Sequence, residues 1–247
     1  RYPFVMADAL YTKVRENGRI RSKGFMVAVG INEQGFREIL GFSCADSETE
    51  AGWTTFFREL KGRGLSQVDM VISDSHKGLV KAVKQCFQGA AWQRCQTHFS
   101  RNMLDVCPKK LHPEMKAALK SLYEAGDYET AVLLRDNILL RFQQEAPKAA
   151  ALLEESFEDV MAVLALPFAM RRRLRTTNGI ERLNEEIRRR ERVIRIFPNE
   201  ESLSRLIGAL LMEINDGWQS GKVYLDLTAY LTQQLQVDKP TAKKSVA

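Results

Sequence analysis

The alternation of apolar and polar positions divides the chain into a strand-rich first part and a helical second part. Phe4–Tyr11 (FVMADALY) is apolar except for Asp8 and reads as a strand. Phe25–Ile31 places Phe25, Val27, Val29 and Ile31 on one face, the period of two expected of a second strand. Asn32–Gly35 then reads as a hairpin connection to a third strand over Glu38–Ala45. Beyond it the period changes. Ser47-x-x-Glu50 has the form of a capping box, and Trp53, Phe56, Phe57 and Leu60 follow at helical spacing until Gly62 and Gly64 end the run. Val68–Ser73 predicts a fourth strand that delivers Asp74 at its carboxyl end, and Leu79, Val80, Val83 and Phe87 form the stripe of a short helix. A fifth strand is expected over Ala90–Phe99. From Ser100 to Arg175 the pattern is helical, including Pro113–Glu124, Asp127–Gln144 and Pro147–Leu166. A last long core helix follows over Gly179–Arg195, and residues 199–233 are mostly helical. No internal repeat is present.

Three antiparallel strands, then αβαβ, then a helix is the order of the ribonuclease H-like fold. The expected architecture is α/β, a mixed five-stranded sheet with flanking helices and an all-helical insertion before the last core helix. Residues 1–99 form the first part of that core, 100–175 the insertion, 176–233 the final core helix and C-terminal helices, and 234–247 a polar, disordered tail. In this fold the first and fourth strands are central neighbours, which places Asp8 beside Asp74. The 247 residues are 45% hydrophobic and 28% charged, the composition of a soluble globular chain. No segment approaches the ~18 uninterrupted apolar residues of a membrane helix. The chain opens on Arg1-Tyr2-Pro3 and runs at once into strand-like sequence, as expected of a piece cut from a longer protein.

Charge sharpens the picture through its location. Between Arg171 and Arg195 stand ten arginines and four glutamates, a balance of 10 − 4 = +6 that equals the formal net charge of the whole chain. A focused arginine patch favours an anionic partner, because guanidinium groups match phosphate oxygens bidentately. The competing reading is a solvated, salt-bridged helix face. Cys44, Cys86, Cys95 and Cys107 lack disulfide-framework spacing and read as reduced thiols.

Three carboxylates stand out, each with a structural alternative. Asp8 interrupts an apolar strand, where a carboxylate is costly unless paired or bound to a cation, although a strand-end aspartate also caps loops. Asp74 follows a β-branched run and precedes Ser75-His76-Lys77-Gly78; Asp74 or Ser75 could equally cap the next helix. Asn178-x-x-Glu181 fits a capping box, yet helical geometry sets Glu181 beside a buried stripe of Ile180, Leu183, Ile187 and Ile194. Asn184, Arg188, Arg192 and Arg195 share its flank. Three such acids could hold two Mg²⁺ ions about 4 Å apart and act on a phosphodiester between them. Cys95-x-x-His98, with Cys107 and His112, spells C-x2-H-x8-C-x4-H; a buried thiol with a histidine near the active site or the DNA is favoured over a structural zinc.

The stretches DALYTKVREN (8–17), VISDSHKGL (71–79), WQRCQTHFSRN (92–102), NGIERLNEEIRRRERVIRIFPN (178–199) and LIGALLMEIN (206–215) resemble the Mutator-type transposases of bacterial insertion sequences. The resemblance implies a ribonuclease H-like catalytic domain with a DDE triad, carried here by Asp8, Asp74 and Glu181 as catalytic and metal-binding residues. It implies Mg²⁺ or Mn²⁺ as cofactor, DNA as partner at transposon ends and target, and a homodimer or higher oligomer on that DNA. A cytoplasmic, nucleoid-associated location away from membranes goes with it. The family's Cys-x-x-His motif falls on Cys95 and His98, and the family's N-terminal DNA-binding region is not in this chain. DNA contacts are expected from Arg182, Arg188, Arg192, Arg195 and Lys77. The expected activity is metal-dependent cleavage at transposon ends and transfer of the 3′-hydroxyl into target DNA. The alternatives are a related nuclease without strand transfer, a non-catalytic DNA-binding derivative and a zinc-stabilised interaction module.

Overall fold

In the computed structural model, which describes residues 1–237, the chain begins with β1 (Phe4–Glu16), β2 (Arg19–Ile31) and β3 (Arg37–Ala45). β1 and β2 are longer than the apolar pattern predicts. Their far ends meet at Asn17-Gly18, with φ of 49° and 75°, the two-residue turn whose twist suits paired strands. Arg19–Ser22 are exposed, so this end of the ribbon carries no hydrophobic signal for an alternation argument to read.

α1 (Glu50–Gly62) is capped by Thr49, whose hydroxyl accepts from the Gly52 N–H at 3.0 Å. The expected Ser47–Glu50 capping box is therefore not formed, because Glu50 is the first residue of the helix. β4 (Met70–Ser73), α2 (Lys77–Cys86) and β5 (Ala91–Arg94) complete the sheet in the order β3-β2-β1-β4-β5. β1 and β3 run antiparallel to β2, while β4 lies parallel to both β1 and β5. This is the ribonuclease H-like arrangement the element order predicts. β5 is shorter than the expected Ala90–Phe99. It stops at Arg94, and α3 (Gln96–Val106) begins at once, with Phe99 and Met103 buried one helical turn apart.

Alternate residues of β1 face opposite ways, as a strand requires. Phe4, Met6 and Leu10 join one core, and Val5 and Ala7 join another that includes Trp53, Phe57, Leu79 and Val83 from α1 and α2. α4 (His112–Tyr123), α5 (Tyr128–Phe142), α6 (Pro147–Met161) and α7 (Phe168–Leu174) follow α3 as the expected helical insertion. α3 to α6 surround a separate core that includes Phe99, Met115, Leu122, Phe142, Leu153 and Phe157. The Gln93 side chain fastens the insertion to β5, donating to the Val160 carbonyl at 2.7 Å and accepting from the Val163 N–H at 2.6 Å.

α8 (Asn178–Ile194) returns the chain to the first core through Ile180, Leu183 and Ile187. Ile194, expected on the same buried stripe, is 37% exposed, because the last turns of α8 run out from the core. Phe197 then rejoins the sheet, donating its N–H to the Lys13 carbonyl at 2.9 Å and accepting from the Arg15 N–H at 2.8 Å. α9 (Glu200–Gln219) covers the edge strand β3, with Asn215 accepting from the Ile39 N–H at 2.8 Å. α10 (Thr228–Val237) ends the described chain. The first residues of the expected tail, 234–237, are thus helical, and the rest of it lies outside the described residues.

Candidate active site

The pairing of β1 with β4 sets the site. Phe4, Val5 and Met6 lie opposite Met70, Val71 and Ile72, and the same offset carried forward brings Asp8 level with Asp74, one residue past the end of β4. Glu181 stands in the first turn of α8, which packs onto this part of the sheet. All three acids line one open cleft of about 330 Å³, together with His98, Arg101, Asn184 and Arg188.

Each structural alternative is answered by geometry. β1 continues beyond Asp8 to Glu16, so Asp8 does not cap a strand end. Its Oδ2 accepts from the Asn184 side-chain amide at 2.8 Å. Burial pushes the Asp8 carboxyl up to about 6; His98 opposes this, while Asp74 and Glu48 push in the same direction. Asp74 does serve a local turn, since its Oδ1 accepts from the His76 N–H at 3.0 Å, but the residue capping α2 is His76. The Asn178–Glu181 capping box is not formed. Asn178 is already the first helical residue, Thr177 occupies the cap, and the Thr177 hydroxyl donates to Cys95 Sγ at 3.3 Å. Glu181 Oε1 is buried and has no hydrogen-bond partner.

Three further groups bear on the cleft. Asn184, visible in the sequence only as a neighbour on the helix flank, holds Asp8 and leaves its own Oδ1 buried without a partner. His98 lies in the first turn of α3 rather than in a strand, which aims it at the two aspartates. Its pKa is raised to about 8 by Cys95 against the effect of burial, with Asp8 and Asp74 adding to the rise. Burial would raise the Cys95 thiol, but the contacts with His98 and Thr177 outweigh it and hold the thiol below its ordinary value. The Cys95–His98 motif thus sets a buried thiol, bonded to Thr177, behind a half-buried histidine that faces the acids. Glu48, from the loop before α1, was not visible in the sequence as a site residue. Burial raises its pKa, His76 lowers it, and Asp74 raises it again. Gly78 lets α2 start against that loop, since a Cβ there would stand 2.8 Å from the Glu50 nitrogen and 2.9 Å from the Glu48 oxygen.

The four-residue zinc reading does not survive. Cys95 and Cys107 flank the 11-residue helix α3, which holds them roughly 16 Å apart or more. His112 instead makes a 3.0 Å contact from Nε2 to the Cys107 carbonyl. Among the described residues, no three His, Cys, Asp or Glu side chains gather closely enough to hold one ion in this conformation, so the acids share a cleft rather than a finished coordination shell.

The expected DNA contacts separate into groups. Arg188 lines the cleft, and Arg182 turns into a neighbouring cavity. Arg192 and Arg195 are exposed on the projecting end of α8, and Lys77 is exposed at the start of α2. No described helix is long and apolar enough to cross a membrane.

Residues 1–221 match the profile of the transposase Mutator family. The chain is 44% identical over 228 residues to the transposase for insertion sequence element IS256 in transposon Tn4001 of Staphylococcus aureus, covering 91% of this chain and 58% of that protein. It is 42% identical over 226 residues to the transposase for insertion sequence element IS1081 of Mycobacterium tuberculosis, covering 92% of this chain and 54% of that one. The chain therefore spans little more than half the length of these relatives. A solved HTLV-2 integrase catalytic core domain in complex with magnesium overlaps 49% of this chain and 84% of its own, at 14% identity and a TM-score of 0.27. That overlap is too loose to carry residues across.

Proposed function

Since the chain belongs to the Mutator family of transposases, we propose that it is the catalytic core that cuts DNA at transposon ends and transfers the freed 3′-hydroxyl into target DNA. The observation that carries this reading is the convergence of Asp8, Asp74 and Glu181 from β1, the end of β4 and α8 on one cleft, with Glu181 Oε1 buried and unpartnered.

The donor set fits a hard divalent cation. It is made of carboxylate oxygens, which suit Mg²⁺ or Mn²⁺, and burial, which raises the Asp8 pKa, makes its charge costly unless a cation joins it. Asp8, Asp74 and Glu181 would hold the ions, which supply charge stabilisation at the attacked phosphodiester. Asn184 fixes the Asp8 carboxylate through its amide. Asp74 keeps one oxygen for the cleft while the other holds the turn into α2. His98, with its raised pKa, places a proton and a positive charge beside both aspartates. Arg188 and the exposed arginines of α8 hold the DNA backbone.

The test is cleavage and joining of end-containing DNA by the full-length protein with Mg²⁺ or Mn²⁺. Asp8→Asn, Asp74→Asn and Glu181→Gln are each expected to reduce cleavage by about a thousandfold or more while the protein stays folded. Near-normal cutting by any one of them removes that residue from the site. Cutting without joining would leave a nuclease.

A further inference from the structure

Next to the carboxylate cleft, and sharing Glu181 and Glu185 with it, lies a cavity of about 510 Å³. Four arginines from three elements enter it: Arg37 from β3, Arg172 and Arg173 from α7, and Arg182 from α8. They are not a loose surface patch. The Arg37 guanidinium lies 4.1 Å from the ring centroid of Trp218 and 4.4 Å from that of Tyr224, and Arg173 lies 4.9 Å from the Tyr224 ring. Among the described residues, arginine ion pairs fall on Arg1, Arg21, Arg135, Arg141, Arg189 and Arg205, and none of the four cavity arginines makes one. Burial, and the nearby Arg173 and Arg182, hold the Arg37 pKa below its ordinary value.

The start of α8 opens onto the same cavity through Thr176, Asn178 and Gly179, where the Thr176 hydroxyl accepts from the Asn178 N–H at 3.4 Å. A Cβ on Gly179 would lie 3.2 Å from Met6 Sδ, 3.5 Å from the Tyr224 hydroxyl and 3.9 Å from an Arg37 nitrogen. The glycine therefore keeps Arg37 and Tyr224 close to the helix start. Four guanidinium groups, two of them held on aromatic rings and none ion-paired with Glu181 or Glu185 on the same wall, offer donors that match the oxygens of a phosphate.

We propose that this cavity is a phosphate subsite, which binds one backbone phosphate of the DNA strand beside the phosphodiester held at the carboxylates. The inference rests on the DNA-cutting reading and deepens it. It explains why the arginines of α7, outside the helix that carries Glu181, line the same cavity as that residue.

The test couples one phosphate to two side chains. Binding of the chain is measured without divalent metal, so that no cutting occurs, to duplexes in which a single phosphate at successive positions is a neutral methylphosphonate. Neutralisation at one or two adjacent positions is expected to weaken wild-type binding about tenfold, the scale of a charge-assisted hydrogen bond. Arg172→Gln/Arg173→Gln should bind more weakly and lose the sensitivity at those positions alone. Both arginines are exposed, so the variant should fold, and Arg182→Gln provides a second reading. Trp218 fluorescence should change on binding of the wild type, and Trp218→Phe should remove that change. A variant that keeps the wild-type position dependence overturns the subsite, as does coupling only to a 5′-terminal phosphate. Neither result touches the cleavage assay of the acid variants, so failure here is distinct from failure of the proposed function.

Discussion

The helical insertion and the sheet half both pair charges at their surfaces, but they differ in their buried polar atoms. In the insertion, Arg141 reaches Glu114 and Glu145 at 2.7 and 2.9 Å, Lys110 meets Glu145 at 3.1 Å, and Asp127 caps α5 at 2.7 Å. In the sheet half and its junctions, buried polar atoms stand without partners: among the described residues these lie on Thr12, Trp53, Arg94, Gln96, His98, Glu181 and Asn184, and none falls between Ser100 and Arg175. Three of them line the carboxylate cleft. Because buried polar groups are ordinarily satisfied, such a cluster costs the fold stability, and the proposed metal site gives it a purpose. On the reading proposed above, the insertion serves the fold and the sheet half serves the chemistry.

The strongest challenge to that contrast is Phe157→Ala in the core of the insertion. It should cost about 3–5 kcal/mol by chemical denaturation, as truncation of a buried aromatic does. A cost near zero would mean that the insertion is not the rigid body its packing implies. Next comes Asp8→Asn without divalent metal. The folded chain keeps the Asp8 proton to about pH 6, whereas the ordinary value of 3.8 governs the unfolded chain, so raising the pH from 4 through 6 penalises the folded state. The penalty approaches about 3 kcal/mol above pH 6 and is absent below pH 4. The asparagine variant should therefore be the more stable one at neutral pH and the equal of wild type in acid. Parallel stability curves for the two proteins would contradict the buried, underpaired carboxylate. The smallest effect on stability is expected of Arg188→Gln/Arg192→Gln, within about 1 kcal/mol of wild type because both side chains are exposed. DNA affinity should fall, and its salt slope should shrink by about one to two units. Wild-type affinity in this variant would remove the outer face of α8 from the DNA path.

What the sequence disclosed followed the same division. The strands were legible from the apolar runs of β1 and β4 and the alternation in β2, and the meeting of Asp8 with Asp74 followed from the element order, in which the first and fourth strands are neighbours. The insertion was legible from its helical period and from helix starts such as Asp127 and Pro147. The turn from β5 into α3 was not, because Gln93, Arg94 and Gln96 are buried polar residues that satisfy one another's neighbours rather than follow a hydrophobic period. For the same reason His98 was assigned to a strand. Glu48 had no signal at all, lying in a polar loop whose position depends on the start of α2 packing against it. Caps misled twice: Ser47-x-x-Glu50 and Asn178-x-x-Glu181 have the right letters, but each helix begins one or two residues away from where the letters place it.

The shared register of Asp8 and Asp74 also has a consequence for the order of synthesis. It is set by the pairing of β1 with β4, both made by Ser73. Yet the face of β1 that carries Phe4, Met6 and Leu10 packs against Ile180, Leu183 and Ile187 of α8, made only after the insertion. Glu181 follows about a hundred residues later, beyond the entire insertion. A growing or prematurely terminated chain that stops short of α8 therefore lacks both the third acid and the residues that cover this face of β1. On the reading proposed above, such a product is inert towards DNA until the insertion has been made and α8 has emerged to complete the site.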